Sequence, residues 1–271
     1  MSDIVLTAGV RSNLLQLQQT SDLITQTQTK LATGKRVNTA LDNPINYFTA
    51  QGLSNRASDL SNLLDSMSTA FNTIQAANNG ITSITKLVQS AQALVSQAQQ
   101  TSDTATRTGL STQFNSILGQ IDQLAGDSGF NGINLLKGDD LTVTLNESGG
   151  STVTISGVTD TSAGDLGIAN ATNNWANAAD ITAASGDLTA ALTTLRSQSQ
   201  AFGSNLSTVQ IRQDFTKAMI NTLQTGSDSL TLADSNEEGA NLLALQTRQQ
   251  LSTTALSLAS QASQAVLRLF Q

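Results

Sequence analysis

The sequence predicts a mainly α protein: a long antiparallel helical bundle with coiled-coil character, a small β-hairpin set into it, and helices at both ends of the chain that pair with each other. Three observations carry this prediction. An apolar residue recurs every three or four positions from Leu53 to Ala98 with no Pro between them. Glycines crowd the stretch between 125 and 180, where the pattern changes from helical to alternating. Each end carries an amphipathic helix pattern, set off from the middle by a run of breaking residues. A period of three to four lines up side chains on one helix face, whereas a period of two lines them up on one face of a strand.

The elements follow in order. The N-terminal series is Val10, Leu14, Leu17, Ser21, Ile24, Gln28 and Leu31, a narrow apolar stripe. This helix is expected to stop within "ATGKRVNTALDNP", where Gly34, Asn38 and the Asp42-Asn43-Pro44 run supply breaking signals. The central seam then runs through Leu53, Arg56, Leu60, Leu63, Met67, Ala70, Ile74, Ala77, Ile81, Ile84, Val88, Ala91, Val95 and Ala98. Only Arg56 interrupts it, and at ~1.5 Å per residue it corresponds to about 70 Å of helix. "QQTSDTATRTG" reads as the turn into an antiparallel helix whose core positions are Leu110, Phe114, Ile117, Ile121 and Leu124.

Next comes "LTVTLNESGGSTVTI", in which Leu141, Val143 and Leu145, then Val153 and Ile155, alternate with polar residues around turn chemistry: a β-hairpin. A third helical series runs Leu188, Leu192, Leu195, Ser199, Phe202, Leu206, Val209, Gln213, Thr216, Ile220, Leu223, Ser227 and Leu230. Nine of these thirteen are apolar, which predicts a looser seam. After "ADSNEEG" at 233–239, the C-terminal series is Ala244, Arg248, Leu251, Ala255, Leu258, Ala262, Ala265 and Leu269. If the chain doubles back, the two ends meet and the two breaks face each other.

Chain ends are usually polar and loosely held, so two apolar, helix-patterned ends point to partners outside the monomer. Their stripes are narrow and rich in Ala, a poor return on an ordering entropy of roughly 1–2 kcal/mol per residue. The expectation is ends that are disordered in the monomer and helical in an assembly.

Composition narrows the function. Charged residues are 12% and aromatic residues 3% of the 271-residue chain, so its surface is dressed mostly by neutral Ser, Thr, Asn and Gln and copies can lie side by side with little charge repulsion. A net charge of −7 without a basic cluster argues against nucleic acid as a partner. No apolar run reaches membrane-spanning length, so no membrane partner is expected. With neither Cys nor His there is no thiol nucleophile, no disulfide and no imidazole base or ligand. Neither a nucleophile elbow nor an acidic cluster is present, and no catalytic residue, metal or cofactor is expected. Gly34-Lys35 lacks the spacing of a phosphate loop. Glu237-Glu238 reads as a solvated turn, and Trp175 as a local packing anchor. The first residues lack a secretory signal-peptide pattern, which taken alone reads as cytoplasmic.

Three segments in order resemble one family, the bacterial flagellins. "LATGKRVNTALDNPINYFTAQGLSNRASDL" is similar to the family's N-terminal signature at Leu31, Gly34, Arg36, Val37, Asn38, Ala40 and Asp42. "FNGINLLKG" at 130–138 is similar to the segment leading from its second helix into β structure. "ANLLALQTRQQLSTTALSLASQASQAVLRLF" resembles its C-terminal helix, with Gln249, Gln250, Gln261, Ala262 and the Val266-Leu267-Arg268-Leu269 ending.

The resemblance implies a structural subunit of the flagellar filament, exported unfolded through the flagellum's own type III channel. On that reading the absence of a signal peptide is compatible with an extracellular filament. It implies a terminal domain of residues 1–42 and 232–271 and a helical rod of 43–140 and 176–231. Residues 141–175 form a hairpin element of the rod, and large outer domains are absent. Inner-tube packing would fall to Val10, Leu14, Leu17, Ile24, Leu31, Leu251, Leu258, Leu269 and Phe270. The rod core would include Leu60, Leu63, Ile74, Ile81, Ile84, Val88, Phe114, Ile117, Ile121, Phe202 and Leu206.

Asp42, Asn43 and Pro44 read either as an ordinary helix start or as a joint that lets subunits change length. Implied partners are further copies, alone or mixed with other flagellins, an export chaperone on the C-terminal helix, and hook-associated and cap proteins. The alternative is a hook–filament junction protein. Exposed Ser and Thr at 142–162 are potential sites of O-linked sugar, with a bare surface as the default. The family's receptor-recognised helix often carries an Arg-Glu pattern that "KLVQSAQALVSQAQQ" lacks, which implies weak recognition by the innate receptor for flagellin.

Overall fold

The computed structural model describes residues 8–159 and 161–269. Among the described residues five α-helices form: α1 (Ala8–Thr33), α2 (Pro44–Gln100), α3 (Thr104–Asp127), α4 (Ala178–Thr231) and α5 (Ser235–Leu269). Between α3 and α4 lie two short 3-10 turns and the strands β1 (Leu141–Thr144) and β2 (Thr152–Ile155). The chain divides into two compact units. Residues up to Asn55 and from Thr222 onward make one, and Arg56–Asn221 the other, so α2 and α4 contribute to both.

In the second unit α2, α3 and α4 bury one continuous core. From Leu60 to Ala98 every seam position of α2 is buried except half-buried Leu63. Leu110, Phe114, Leu118 and Ile121 of α3 and Leu188, Leu195, Phe202 and Val209 of α4 meet that seam. Ile117 and Leu206 are half-buried against the same core. Polar seam positions of α4 find partners across it: Ser199 Oγ lies 2.9 Å from Asn78 Oδ1, and Gln213 Nε2 donates to Ser68 Oγ at 3.3 Å. Arg56, the residue that interrupts the apolar seam, points out and pairs with Glu147 of the hairpin turn. The interruption is therefore an ion pair and not a packing fault.

The turn between α2 and α3 is shorter than the sequence suggests. Only residues 101–103 are non-helical, because Asp103 caps α3 by accepting from Thr106 N at 2.8 Å and so starts the helix early. Arg107, inside that first turn, donates from Nε to Thr101 O at 2.8 Å and from Nη1 to Ala176 O at 3.3 Å. It holds the turn and the approach to α4 together.

The hairpin is antiparallel, with Leu141 opposite Ile155 and Thr144 opposite Thr152. Its alternation is the one the sequence predicts. Leu141, Val143, Leu145 and Ile155 are buried, while Thr142 and Thr154 stand exposed across from each other. "FNGINLLKG" becomes a tight turn and a cap. Asn131 and Gly132 take φ 50° and 81°, and Phe130 and Ile133 exchange backbone hydrogen bonds across them. Asn134 then donates from Nδ2 to Ala125 O and Gly126 O at 2.9 and 3.0 Å, closing the carbonyl end of α3. Gly80 of α2 sits against this cap, where an added Cβ would lie 2.2 Å from Ser128 Oγ and 2.8 Å from Leu136 Cδ1.

Trp175 is fully buried with its ring 4.9 Å from that of Phe114, the anchoring role expected of it. Three successive left-handed residues, Asn173, Asn174 and Trp175 (φ 47°, 51° and 57°), aim it inward. Asn tolerates that conformation better than most residues.

Candidate assembly surfaces

The first unit is built by α1 and α5 together with the start of α2 and the end of α4. α1 ends where Gly34 takes φ 68°, a left-handed value that stops helix propagation. The following turn is pinned by Asp42, whose carboxylate accepts from Asn38 N and Thr39 N, both at 2.9 Å, and from Thr39 Oγ1 at 3.2 Å. These hydrogen bonds, Thr39 N first, hold the Asp42 pKa below its ordinary value of 3.8. Asn43 accepts from Asn46 N at 3.0 Å and Pro44 opens α2, so this run supplies a helix start.

The second break spans only residues 232–234. Asp234 caps α5 by accepting from Asn236 N at 2.8 Å and Glu237 N at 3.3 Å, so most of "ADSNEEG" is already helical. The two breaks do face each other. Arg36 N donates to Thr231 O at 2.8 Å and Ala233 N to Gly34 O at 3.0 Å, a backbone staple centred on the Lys35–Leu232 bridge. Glu238 is no solvated turn residue: it pairs with Lys30 at 3.0 Å, with its side chain 12% exposed. Adjacent glutamates on a helix point apart, and the one turned toward α1 finds the cation.

The contact between α1 and α5 is narrow and rich in hydroxyl groups. On α1, Thr20, Ile24 and Thr27 are buried and Val10, Asn13, Leu17 and Leu31 half-buried. The buried stripe therefore runs one residue away from the predicted series at three positions, and Leu14 is left 40% exposed. On α5 the half-buried positions among the described side chains are Glu238, Gly239, Leu242, Leu245, Gln249, Ser252, Leu256 and Ala259.

The series read from Ala244 through Leu251 and Leu258 faces away from α1 and is exposed in the single chain, with Leu251 at 67% and Leu258 at 61%. The reason lies in the sequence. Leu242, Leu243, Leu245, Leu251, Leu256 and Leu258 form two stripes on different faces, and a three-four count cannot say which one meets α1. The side chain of Leu269 and the whole of Phe270 lie outside the described residues.

Among the described residues of this unit, two apolar surfaces are thus presented to solvent. One is the outer stripe of α5, Leu243, Leu251 and Leu258, with Leu14, Leu15 and Leu23 exposed on α1. The other is at the start of α2, where Leu41, Ile45 and Phe48 are 95%, 77% and 64% exposed. Among the described residues no cluster of acidic side chains could hold a metal ion, and no helix is long and apolar enough to cross a membrane.

Comparison with known proteins decides the family. Residues 7–140 match the bacterial flagellin N-terminal helical region, and residues 186–270 the bacterial flagellin C-terminal helical region. The chain belongs to the bacterial flagellins. Flagellin FljM of Caulobacter vibrioides is 31% identical over 273 residues, covering 100% of this chain and 99% of that relative. Flagellin FljK of the same organism is 30% identical over the same span. Flagellin A of Rhizobium meliloti is 39% identical over 94 residues, 35% of this chain and 24% of its own. A crystal structure of Bacillus cereus flagellin covers 57% of this chain and 88% of its own, with a TM-score of 0.48 and 22% identity. This flagellin is a structural subunit of the flagellar filament, and its relatives of nearly equal length are flagellins too.

Proposed function

We propose that copies of this flagellin polymerise through their terminal helices, with the exposed outer stripe of α5 as the principal contact. Leu243, Leu251 and Leu258 carry the reading: three leucines more than 60% exposed in one chain and spaced along one helix face. Burial of a leucine side chain is worth ~1.5–3 kcal/mol, so such a stripe is costly unless something covers it. Neighbouring copies cover it if α1 and α5 line an inner tube, with residues 1–42 and 232–271 as the tube domain, 43–140 and 176–231 as the surrounding rod, and 141–175 as its hairpin element. In that arrangement the Asp42-Asn43-Pro44 turn and the backbone staple at Gly34 and Ala233 form the joint between them.

The same leucines suit an export chaperone before assembly, which would shield them while the chain awaits the type III channel. The filament is extracellular on this reading, its ends meet hook-associated and cap proteins, and it performs no catalysis. Adding purified subunit to short filament seeds, followed by electron microscopy, is expected to give long filaments. Binding to hook ends without elongation would indicate a junction protein instead. In a receptor reporter assay the segment at 86–100 is expected to give weak innate signalling, and a full-strength response would refute that.

A further inference from the structure

Two Asn-Gly pairs occur in the chain, Asn79-Gly80 and Asn131-Gly132. Asparagine is thermolabile because the backbone nitrogen of the next residue can attack its side-chain amide carbon and close a five-membered ring. Glycine in second place leaves that nitrogen unhindered, since it has no Cβ. The two pairs share this local chemistry and differ in what the fold does to them.

Asn79-Gly80 lies in the interior of α2, where helical hydrogen bonding engages the Gly80 N–H. Gly80 is also buried and packs against Ser128 and Leu136. Asn131-Gly132 is the two-residue tip of the turn closed by Phe130 and Ile133, and both of its residues are exposed. Asn79 is exposed as well, so the contrast lies in the backbone. Among the described residues, neither the Asn131 side-chain amide nor the Gly132 N–H has a hydrogen-bond partner. Apart from its chain neighbours, nothing comes within 4 Å of where a Cβ on Gly132 would sit. Both reacting groups are therefore unengaged and open to water.

We propose that Asn131 is a site of spontaneous covalent modification in the folded chain, and that the helix protects Asn79 from the same reaction. The Gly132 nitrogen forms a bond to Asn131 Cγ and the Cγ–Nδ2 bond breaks. The departing nitrogen takes up the Gly132 proton and leaves as ammonia. Water then opens the succinimide. Addition at Cγ gives aspartate, and addition at the main-chain carbonyl gives isoaspartate, whose main chain runs through Cβ and Cγ and is one carbon longer. No reactant beyond water is required, and the chemistry needs no neighbouring copy.

Either product places a carboxylate in the groove beside β1, where Asn131 lies with Leu63, Ile133 and Leu141 and no charged residue is present. Aspartate keeps the backbone and tolerates the left-handed conformation. Isoaspartate lengthens a tip that leads directly into Ile133 and Asn134, the residue that closes the carbonyl end of α3.

Peptide mapping by mass spectrometry over time tests this on the full chain. Folded subunit is incubated in mildly alkaline buffer beside the same protein in denaturant. Conversion in the folded chain is expected to be at least about tenfold faster at Asn131 than at Asn79, a difference of about 1.4 kcal/mol in barrier. In denaturant the two sites should convert at comparable rates. Fragmentation of the 131 peptide should show isoaspartate beside aspartate. Asn131→Asp, which carries the charge from the start, should keep wild-type helicity and show no mass gain at 131. An Asn131 amide that stays intact in the folded subunit while the denatured chain converts would overturn the proposal, as would equal rates at the two sites in the folded subunit.

Discussion

The carboxylate of Asp42 does at one turn what a helix does along its length: it gives backbone N–H groups their acceptor. Because its folded pKa lies below the ordinary 3.8, its stabilising contribution is full above that value and disappears as pH falls through the folded pKa. Asp42→Asn should therefore lower the thermal midpoint at neutral pH, with the gap to wild type closing only in strong acid; melts across that range check it. At Gly80 two effects oppose. Alanine gains up to about 1 kcal/mol of helix propensity, but its Cβ meets Ser128 and Leu136 at 2.2–2.8 Å, an overpacking that costs ~1–3 kcal/mol. Gly80→Ala is expected to be net destabilising by denaturant titration. Phe114→Ala removes the ring against Trp175 and should cost roughly 3–5 kcal/mol. It should also red-shift the emission of the single tryptophan.

At the scale of elements, legibility followed how much one pattern excluded the alternatives. The α2 seam could be read because its apolar positions recur on one face for over twelve turns, and the hairpin because Leu141, Val143 and Ile155 alternate cleanly. The facing of α5 could not, since its leucines populate two faces and local periodicity is silent about which one a distant helix covers. The roles of Glu238 and Gly80 could not be read for a related reason: each is defined by a partner far along the chain, Lys30 and Ser128 respectively. The candidate surface was thus partly legible: the sequence marks apolar residues on the terminal helices, while the face that meets α1 is left to tertiary packing. The Lys30–Glu238 pair ties α1 to α5 near the staple and is partly exposed. Lys30→Ala should destabilise the helix pair by on the order of 1 kcal/mol, read as faster amide exchange in α1 with α2 and α3 unchanged.

For the whole molecule, the two units differ in what holds them. The unit of Arg56–Asn221 closes on a continuous apolar core, whereas α1 buries only Thr20, Ile24 and Thr27. A helix pair so thinly packed opens at low free energy. Its outward leucines are stabilised only by what binds them, so assembly and helix order at the ends are thermodynamically linked. The most direct measurement is amide hydrogen exchange across 8–33 and 235–269, in free subunits and in filaments grown from seeds. Fast exchange in the free subunit and strong protection in the filament are predicted, with 60–130 protected in both. Equal protection of the ends in both states would contradict the account.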